Sequence, residues 1–379
     1  MYLNTNSAGK KIKILHFTIS NTGGGITKFI LRLWKYIDKD RFSFDFVTMS
    51  NYLDYAEQLE KEGCKIYYLS VYAEEDKERF AKEVNSILEN GYDVVHLHTN
   101  WWRGFWLEKL AQKKGISKII VHAHSTGVHI KEEQSREAAN KLHYEQREML
   151  TDEIATDFLA CSKEAAEWLY KDKIPWEKIR IIPGAVKLDK FKFNVSIRTE
   201  YRMKLGIQTG DFVIGHIGRF AYEKNHEFLL EIFYDIAMRD ENAKLLLIGV
   251  GELESSIRTK AQKYGLKDKV LFLGKREDVN CLLQVMDVFA FPSFYEGYGL
   301  VLIEAQAAGL KCIVSNTVPR ITKVTDDVEY LELNKEMWVE KLSKISCGYE
   351  RKDTSHILDA AGYGMETMVK TFEEIYSGE

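Results

Sequence analysis

Two glutamates, Glu296 and Glu304, stand in PSFYEGYGLVLIEAQAAG (residues 292–309), a segment otherwise apolar and punctuated by glycine. Charged side chains rarely occupy such surroundings unless something pairs with them. A carboxylate can accept two hydrogen bonds from vicinal hydroxyls, which is the edge that a ribose presents. DVFAFPS reads as a strand and its end, EGYG as a flexible turn, and LVLIEAQAAG as a helix that starts near Gly299. The first N–H groups of such a helix favour an anion. Glu304 then falls about one turn into the helix, and Glu296 on the loop before it. The plainer reading is a capping glutamate followed by a surface helix glutamate.

Three other stretches carry candidate chemistry. GRFAYEKNH (218–226) follows the strand-like FVIGHIG and puts Arg219 at the strand's end, with Lys224 just ahead of a helix that Asn225 could cap. Two cations there suit a diphosphate, although a solvated loop carries such charges too. TGGGIT (22–27) sits between the first strand and the first helix, where glycines let a backbone approach an anion. Its spacing is not G-x-G-x-x-G, and no acidic residue closes the next strand, so a dinucleotide fingerprint is absent. HLH (His96, His98) and HAHS (His122, His124) end neighbouring strands. Alternation puts each pair on one face, and no carboxylate is supplied nearby, so a polar wall fits better than a metal site. One of these histidines could bond a substrate hydroxyl. NWWRGFW (100–106) packs four aromatics into a short run, too many for one buried side, so some are expected in a crevice or at a bilayer interface.

The elements that must position these residues are α/β throughout. KIKILHF, FSFDFVT, KIYYLS, DVVHLH, KIIVHAH, DFLACS and KIRIIP read as strands alternating with 3.6-periodic helical segments, which implies parallel strands with helices on both faces. IPGAVKLDKFKFN (182–194) shows neither period and reads as a linker. FVIGHIG, AKLLLIG, KVLFLG, DVFAFP and KCIVS then restart the alternation. Two Rossmann-like units are expected, residues 1–185 and 186–354, with 355–379 as a last helical segment packing back towards the first. In such folds ligands bind beyond the carboxyl ends of the strands, and a crevice between two facing units is the expected site.

The bulk numbers agree. The chain has 379 residues, 45% apolar and 29% charged, as ordinary globular proteins do. A net charge of −4 argues against a nucleic-acid binder. Five scattered cysteines with no C-x-x-C pair suit reduced thiols in the cytoplasm. The polar start MYLNTNSAGKK shows no signal peptide, and no apolar run approaches the ~20 residues of a membrane-spanning helix.

In this order and spacing, TGGGITKFI, HAHS, GRFAYEKNH, IGVGELE and PSFYEGYGLVLIEAQAAG resemble glycosyltransferase family 4, retaining enzymes of GT-B architecture. IDKDRFSFDFV and IEAQAAGLKCIVS look closest to the capsular and exopolysaccharide branch. The resemblance implies that Glu304 holds the nucleotide ribose and Glu296 the donor sugar. It implies that Arg219 and Lys224 clamp the diphosphate, with backbone N–H groups of Gly299 and Leu300. Gly24 and Gly25 would form an acceptor-side loop touching the diphosphate, His124 would stand beside the donor sugar, and Arg276 would meet the base. Two departures stand out: Lys311 replaces a usual proline, and the usual acidic residue near Arg320–Ile321 is missing.

The resemblance further implies a nucleotide-sugar donor, UDP-linked, and a glycan acceptor carried on a lipid at the inner membrane face, with peripheral membrane contact. No metal is expected, because the cations and a helix N-terminus can stabilise the leaving diphosphate. The one D-x-D-like run, Asp38-Lys39-Asp40, falls at a helix end where a turn explains it. The rival readings are an epimerase or hydrolase on the same fold, which needs an acid/base pair aimed at C2 or at water, and a non-catalytic nucleotide-sugar binder.

Overall fold

The structure is a computed structural model that describes residues 10–21, 25–128, 130, 132–296 and 298–379. It divides into two compact units: residues 1–184 with 365–379, and residues 185–364.

The first unit holds strands β1 (Ile12–Ile19), β2 (Phe42–Thr48), β3 (Ile66–Tyr68), β4 (Val94–Thr99), β5 (Lys118–Ala123), β6 (Asp157–Ala160) and β7 (Ile179–Ile181). They form one parallel sheet in the order β3-β2-β1-β4-β5-β6-β7. Its helices are α1 (Gly25–Tyr36), α2 (Ala56–Lys61), α3 (Lys77–Leu88), α4 (Trp106–Lys113), α5 (Glu133–Glu148) and α6 (Lys163–Leu169). The second unit holds β8 (Phe212–Ile217), β9 (Ala243–Ile248), β10 (Val270–Phe272), β11 (Val288–Phe291), β12 (Lys311–Ser315) and β13 (Val328–Leu331). Its sheet, also parallel, runs β10-β9-β8-β11-β12-β13. Here the helices are α7 (Val195–Lys204), α8 (His226–Ala237), α9 (Glu254–Lys263), α10 (Val279–Val285), α11 (Leu300–Ala307), α12 (Lys335–Ile345) and α13 (Ser355–Ala360).

Parallel strands covered on both faces are expected to be apolar on both, and β11 is. Phe289 and Phe291 of β11 pack into one core cluster with Leu302 and Ala305, whereas Val288 and Ala290 pack into another with Leu229 and Phe233. In each sheet the chain order reverses beside one strand, β1 in the first and β8 in the second, which makes the loops after β1, β4, β8 and β11 those where open parallel sheets generally take ligands.

The final segment corrects an expectation. It is two helices, α13 and then α14 (Met365–Ser377), and they belong to different units. The division lies at Met365, not at residue 355. Leu358 and Tyr363 pack with Ile303 and Ala307 of α11, and Val186 bridges Gly364, so α13 is held in the second unit. α14 buries Met365, Met368, Val369, Phe372, Ile375 and Tyr376, a stripe at helical spacing, in the first. Lys118 donates to the carbonyl of Ile375, a cation at a helix C-terminus.

Glu108 of α4 is only 1% exposed, and its Oε1 finds no hydrogen-bond partner. Burial pushes this carboxyl up from 4.5 to about 7. Between those values the folded chain keeps a proton that the unfolded chain has released. Stability therefore falls as pH rises through that window, by ~3 kcal/mol in all, and is flat above it. Glu108→Gln should melt higher than the parent near pH 8, with the difference closing towards pH 4.5. Calorimetry of both proteins across pH checks this. The difference between them is the readout, because the buried histidines titrate in the opposite sense below 6.5. A pH-independent difference would refute the assignment.

Candidate active site

The loop after β8 and the loop after β11 are fastened together at the point where the second sheet reverses. The backbone N–H of Phe294 donates to the carbonyl of Glu223 at 2.8 Å, and the rings of Tyr222 and Phe294 stack at 4.9 Å. Asn225, expected as a helix cap, does something else. Its backbone is left-handed (φ 53°) and its amide donates to the carbonyl of Pro292 at 3.2 Å, so it ties the loops instead.

Lys224 and Glu296 meet across this junction. Nζ donates to Oε1 at 2.5 Å and to Oε2 at 2.7 Å, with side chains 17% and 8% exposed. Ser293 adds a third bond, donating its hydroxyl to Glu296 Oε1 at 2.6 Å. Gly218 lets the lysine stem lie over the strand end, since a Cβ there would meet Lys224 Cγ at 3.3 Å and His216 Nε2 at 2.9 Å. The donor count is informative. Two oxygens offer about four lone-pair positions, so three bonds leave Oε2 one free acceptor position, and Lys224 keeps one N–H of three. The pair is thus a nearly neutral, fixed unit with one acceptor and one donor to spare.

Gly299 opens α11 in a left-handed conformation (φ 78°) that favours glycine, and a Cβ there would sit 4.0 Å from Glu296 Cγ. Gly299, where α11 begins, therefore stands close to the Glu296 side chain, while Glu304 is half-buried one turn further on. Arg219 is exposed and donates to Glu223 at 2.6 Å. That bond is the main cause raising its pKa above the ordinary guanidinium value.

In the first unit, Gly24 lies outside the described residues, and Gly25 is the exposed first residue of α1. Nothing stands within 4 Å of where a Cβ on Gly25 would be. His124 follows β5, half-buried, and heads a stack of imidazoles. His16, His96, His98, His122 and His124 line one face of the sheet beneath Phe29 of α1 and Phe372 of α14. Burial pushes His16 and His124 down to about 3 and holds the other three well below 6.5, the neighbouring histidines adding to it.

Against known proteins, the model for glycosyl transferases group 1 matches residues 197–353, and that for the glycosyl transferase 4-like domain matches residues 24–185. The chain belongs to the family-4 glycosyltransferases. It is 29% identical to EpsF of Bacillus subtilis, named as a glycosyltransferase, over 98% of this chain and 97% of EpsF. It is 25% identical to the UDP-Gal:alpha-D-GlcNAc-diphosphoundecaprenol alpha-1,3-galactosyltransferase of Escherichia coli, over 82% of this chain and 81% of that one. HepE of Anabaena, solved in complex with UDP, superimposes with a TM-score of 0.74 at 18% identity, covering 98% of this chain and all of HepE. At that identity the likeness is one of fold, and the fold is GT-B.

The remaining candidate residues of this transferase are placed as follows, and of them the clustered aromatics stand otherwise than the sequence suggested. Arg276 lies on the loop after β10, two strands from β8 in the sheet order, in a bidentate pair with Asp278 at 2.8 and 2.6 Å. None of the four clustered aromatics is exposed. Trp102 and Phe105 are core, Arg103 covers Trp101 at 4.1 Å and Lys77 covers Trp106 at 5.2 Å. Among the described residues no helix is long and apolar enough to cross a membrane. Asp38 accepts from the backbone of Asp40, which makes the D-x-D-like run a turn.

The two departures are local. Lys311, where proline is usual, uses the N–H that proline lacks to bond the Tyr349 hydroxyl at 2.9 Å. Arg320 lies over the Tyr330 ring at 3.9 Å. A surface depression of about 920 Å³ against β3 and α3 contains none of the expected site residues and no chemistry-bearing cluster beyond surface ion pairs.

Two groupings bring imidazole nitrogens within 4.8 Å of one another, His16/His96/His98 and His98/His122/His124. Neither includes a carboxylate or thiol, and facing nitrogens already share hydrogen bonds, so a dication would be buried there without a counter-charge. Sequence reasoning missed Ser293 and His16. The first was signalled by its S-x-x-E spacing to Glu296. The second was signalled only by a histidine inside the apolar run KIKILHF.

Proposed function

We propose that the protein is a retaining, metal-independent glycosyltransferase that moves a sugar from a UDP-sugar to a lipid-diphosphate-linked glycan in exopolysaccharide or capsule synthesis. The observation that carries the reading is the Lys224–Glu296 pair beside the N-terminus of α11, with Arg219 on the same loop. The acceptor class is supported by the similarity to a galactosyltransferase whose name gives a diphosphoundecaprenol acceptor.

In this reading Glu304 accepts from the ribose hydroxyls, and the free position on Glu296 Oε2 accepts from a hydroxyl of the donor sugar. Arg219, the spare N–H of Lys224 and the amides of Gly299 and Leu300 take the diphosphate oxygens, where negative charge grows as the bond breaks. Arg276 and Asp278 stand towards the base. Gly24 and Gly25 allow close approach of the acceptor-side loop, and His124 stands beside the sugar. The bond from C1 to the phosphate oxygen breaks, and the bond from C1 to the acceptor oxygen forms on the same face. The acceptor's proton passes to the departing phosphate oxygen. Neither glutamate acts as a nucleophile, because Glu296 is committed to Lys224 and Ser293. Working on a lipid-borne acceptor would bring the enzyme to the cytoplasmic membrane face as a peripheral protein.

The test is product analysis with purified protein. A panel of nucleotide-sugars is first ranked by thermal shift, since a ligand that binds only the folded state raises the apparent melting point. The stabilising donor is then supplied with a lipid-diphosphate-linked acceptor, and the anomeric configuration of the product is read by NMR. Retention with undiminished turnover in excess EDTA is the expected result. Inversion, a trapped glycosyl-enzyme or loss of turnover on chelation would each overturn part of the reading. Conversion of the donor without acceptor would point to the epimerase or hydrolase instead.

A further inference from the structure

His16 sits on β1, two strands away from β5 in the first sheet, yet two hydrogen bonds connect it to His124. His16 Nδ1 lies 3.0 Å from Nε2 of His98, and Nδ1 of His98 lies 2.9 Å from Nε2 of His124. Phe44 and Phe46 stand 4.3 and 5.9 Å from His16 and Phe29 stands 5.2 Å from His124, while the rings of His96 and His122 lie 4.0 Å from those of His98 and His124. The other buried pair, His96 and His122, ends on the Tyr376 hydroxyl and has no hydrogen bond to this chain of three.

A neutral imidazole carries one N–H and one bare nitrogen. Both bonds can therefore form only if all three rings donate in the same direction. In one direction His16 Nδ1–H donates to His98, His98 Nδ1–H donates to His124 Nε2, and the proton of His124 sits on Nδ1. In the other, His124 donates inward and the proton of His16 must sit on Nε2. That nitrogen is buried with no hydrogen-bond partner. The inward direction would leave an orphaned N–H there, the outward one only an unused lone pair, and buried orphan N–H groups are the rarer of the two.

We propose that His16 and His98 are positioning residues that fix His124 as its Nδ1–H tautomer, so that His124 offers the donor sugar a hydrogen-bond donor and cannot accept a proton at that atom. This rests on the placement of His124 beside the sugar given above. The fixed tautomer is the reverse of the Nε2–H form that a free histidine side chain favours, so the state of His124 reports whether the connection exists. His122 is tied to His96 and has no such route to His16.

The experiment is a long-range proton–nitrogen NMR spectrum of protein labelled with 15N-histidine. In the parent, His124 should show an N–H-type Nδ1 and a bare Nε2, and the opposite pattern overturns the proposal whatever the variants do. His16→Leu removes the donor and should move His124 towards the Nε2–H form. It should also lower kcat about tenfold with the acceptor KM unchanged. His16→Asn, whose amide N–H stands near the place of Nδ1, should restore both. Equal losses in the two variants, or a loss that follows melting temperature and leaves the tautomer in place, would mean a packing role and sink the idea. If His124→Ala leaves transfer untouched while the parent spectrum is as expected, the tautomer connection stands and the placement of His124 at the sugar fails.

Discussion

Lys224→Ala is expected to lower kcat/KM by about 10²–10³ and to lower stability as well, by roughly 3 kcal/mol. The two losses have different causes. In the proposed reading activity falls because the N–H that Lys224 keeps after serving both oxygens of Glu296 is the one offered to charge growing on the leaving diphosphate. Stability falls because Glu296, 8% exposed, would lose its counter-charge in a site where, among the described residues, its other bond comes from the Ser293 hydroxyl. Removing one partner of a buried pair is far costlier than removing both. Lys224→Met combined with Glu296→Leu should therefore recover most of the stability and none of the activity. Denaturation of the three proteins, with initial rates on the same preparations, decides the matter. An unchanged melting curve for Lys224→Ala would mean the pair is not the buried unit its geometry suggests. Recovered turnover in the double variant would remove both residues from the chemistry.

The strands were legible because parallel strands covered on both faces are short apolar runs, and every run picked from KIKILHF to KCIVS is a strand. β13, TDDVEYLEL in the sequence, is an edge strand in which only Val328 is buried, so no such run marks it. The division of the last segment between units was not legible either. Helical periodicity shows that a face is apolar but not what covers it, and Leu358 and Phe372 look alike until Ile303 and Phe29 are placed against them. At the site, the residue types that draw attention are charged ones in apolar surroundings, which is why Glu296, Lys224 and Arg219 stood out. Partnership is what a sequence hides. That Lys224 faces Glu296 rather than solvent, that Arg219 pairs with Glu223 and that Arg276 is held by Asp278 all depend on loop conformations that periodicity does not encode. The histidine stack was half visible. Alternation put His96 with His98 and His122 with His124. That all four share one face with His16 depends on the register His16–His96 and His98–His122 across β1, β4 and β5.

Arg219→Ala should separate the two effects that Lys224→Ala joins. Its side chain is 57% exposed, and its partner Glu223 is four residues on, a surface pair of the kind that contributes under about 1 kcal/mol. Melting should therefore change little, while kcat/KM for the donor falls by about 10². Part of that loss should come from Glu223 rather than from the missing guanidinium. In the folded chain without donor, Arg219 is already neutralised, so a diphosphate must compete with Glu223 for it. Once the arginine is gone, the carboxylate stands uncompensated beside the place proposed for the phosphate. Two consequences follow from that competition. Glu223→Gln alone should tighten donor binding, because it frees the cation, and Arg219→Ala with Glu223→Gln should regain part of the affinity lost in the single variant. Both effects should shrink as salt rises, since exposed charges are screened where the buried Lys224–Glu296 pair is not. Donor titrations of the four proteins at low and high ionic strength measure this directly. If Glu223→Gln weakens donor binding instead, Glu223 is itself a ligand to the donor, and Arg219 serves to orient it rather than to hold the phosphate.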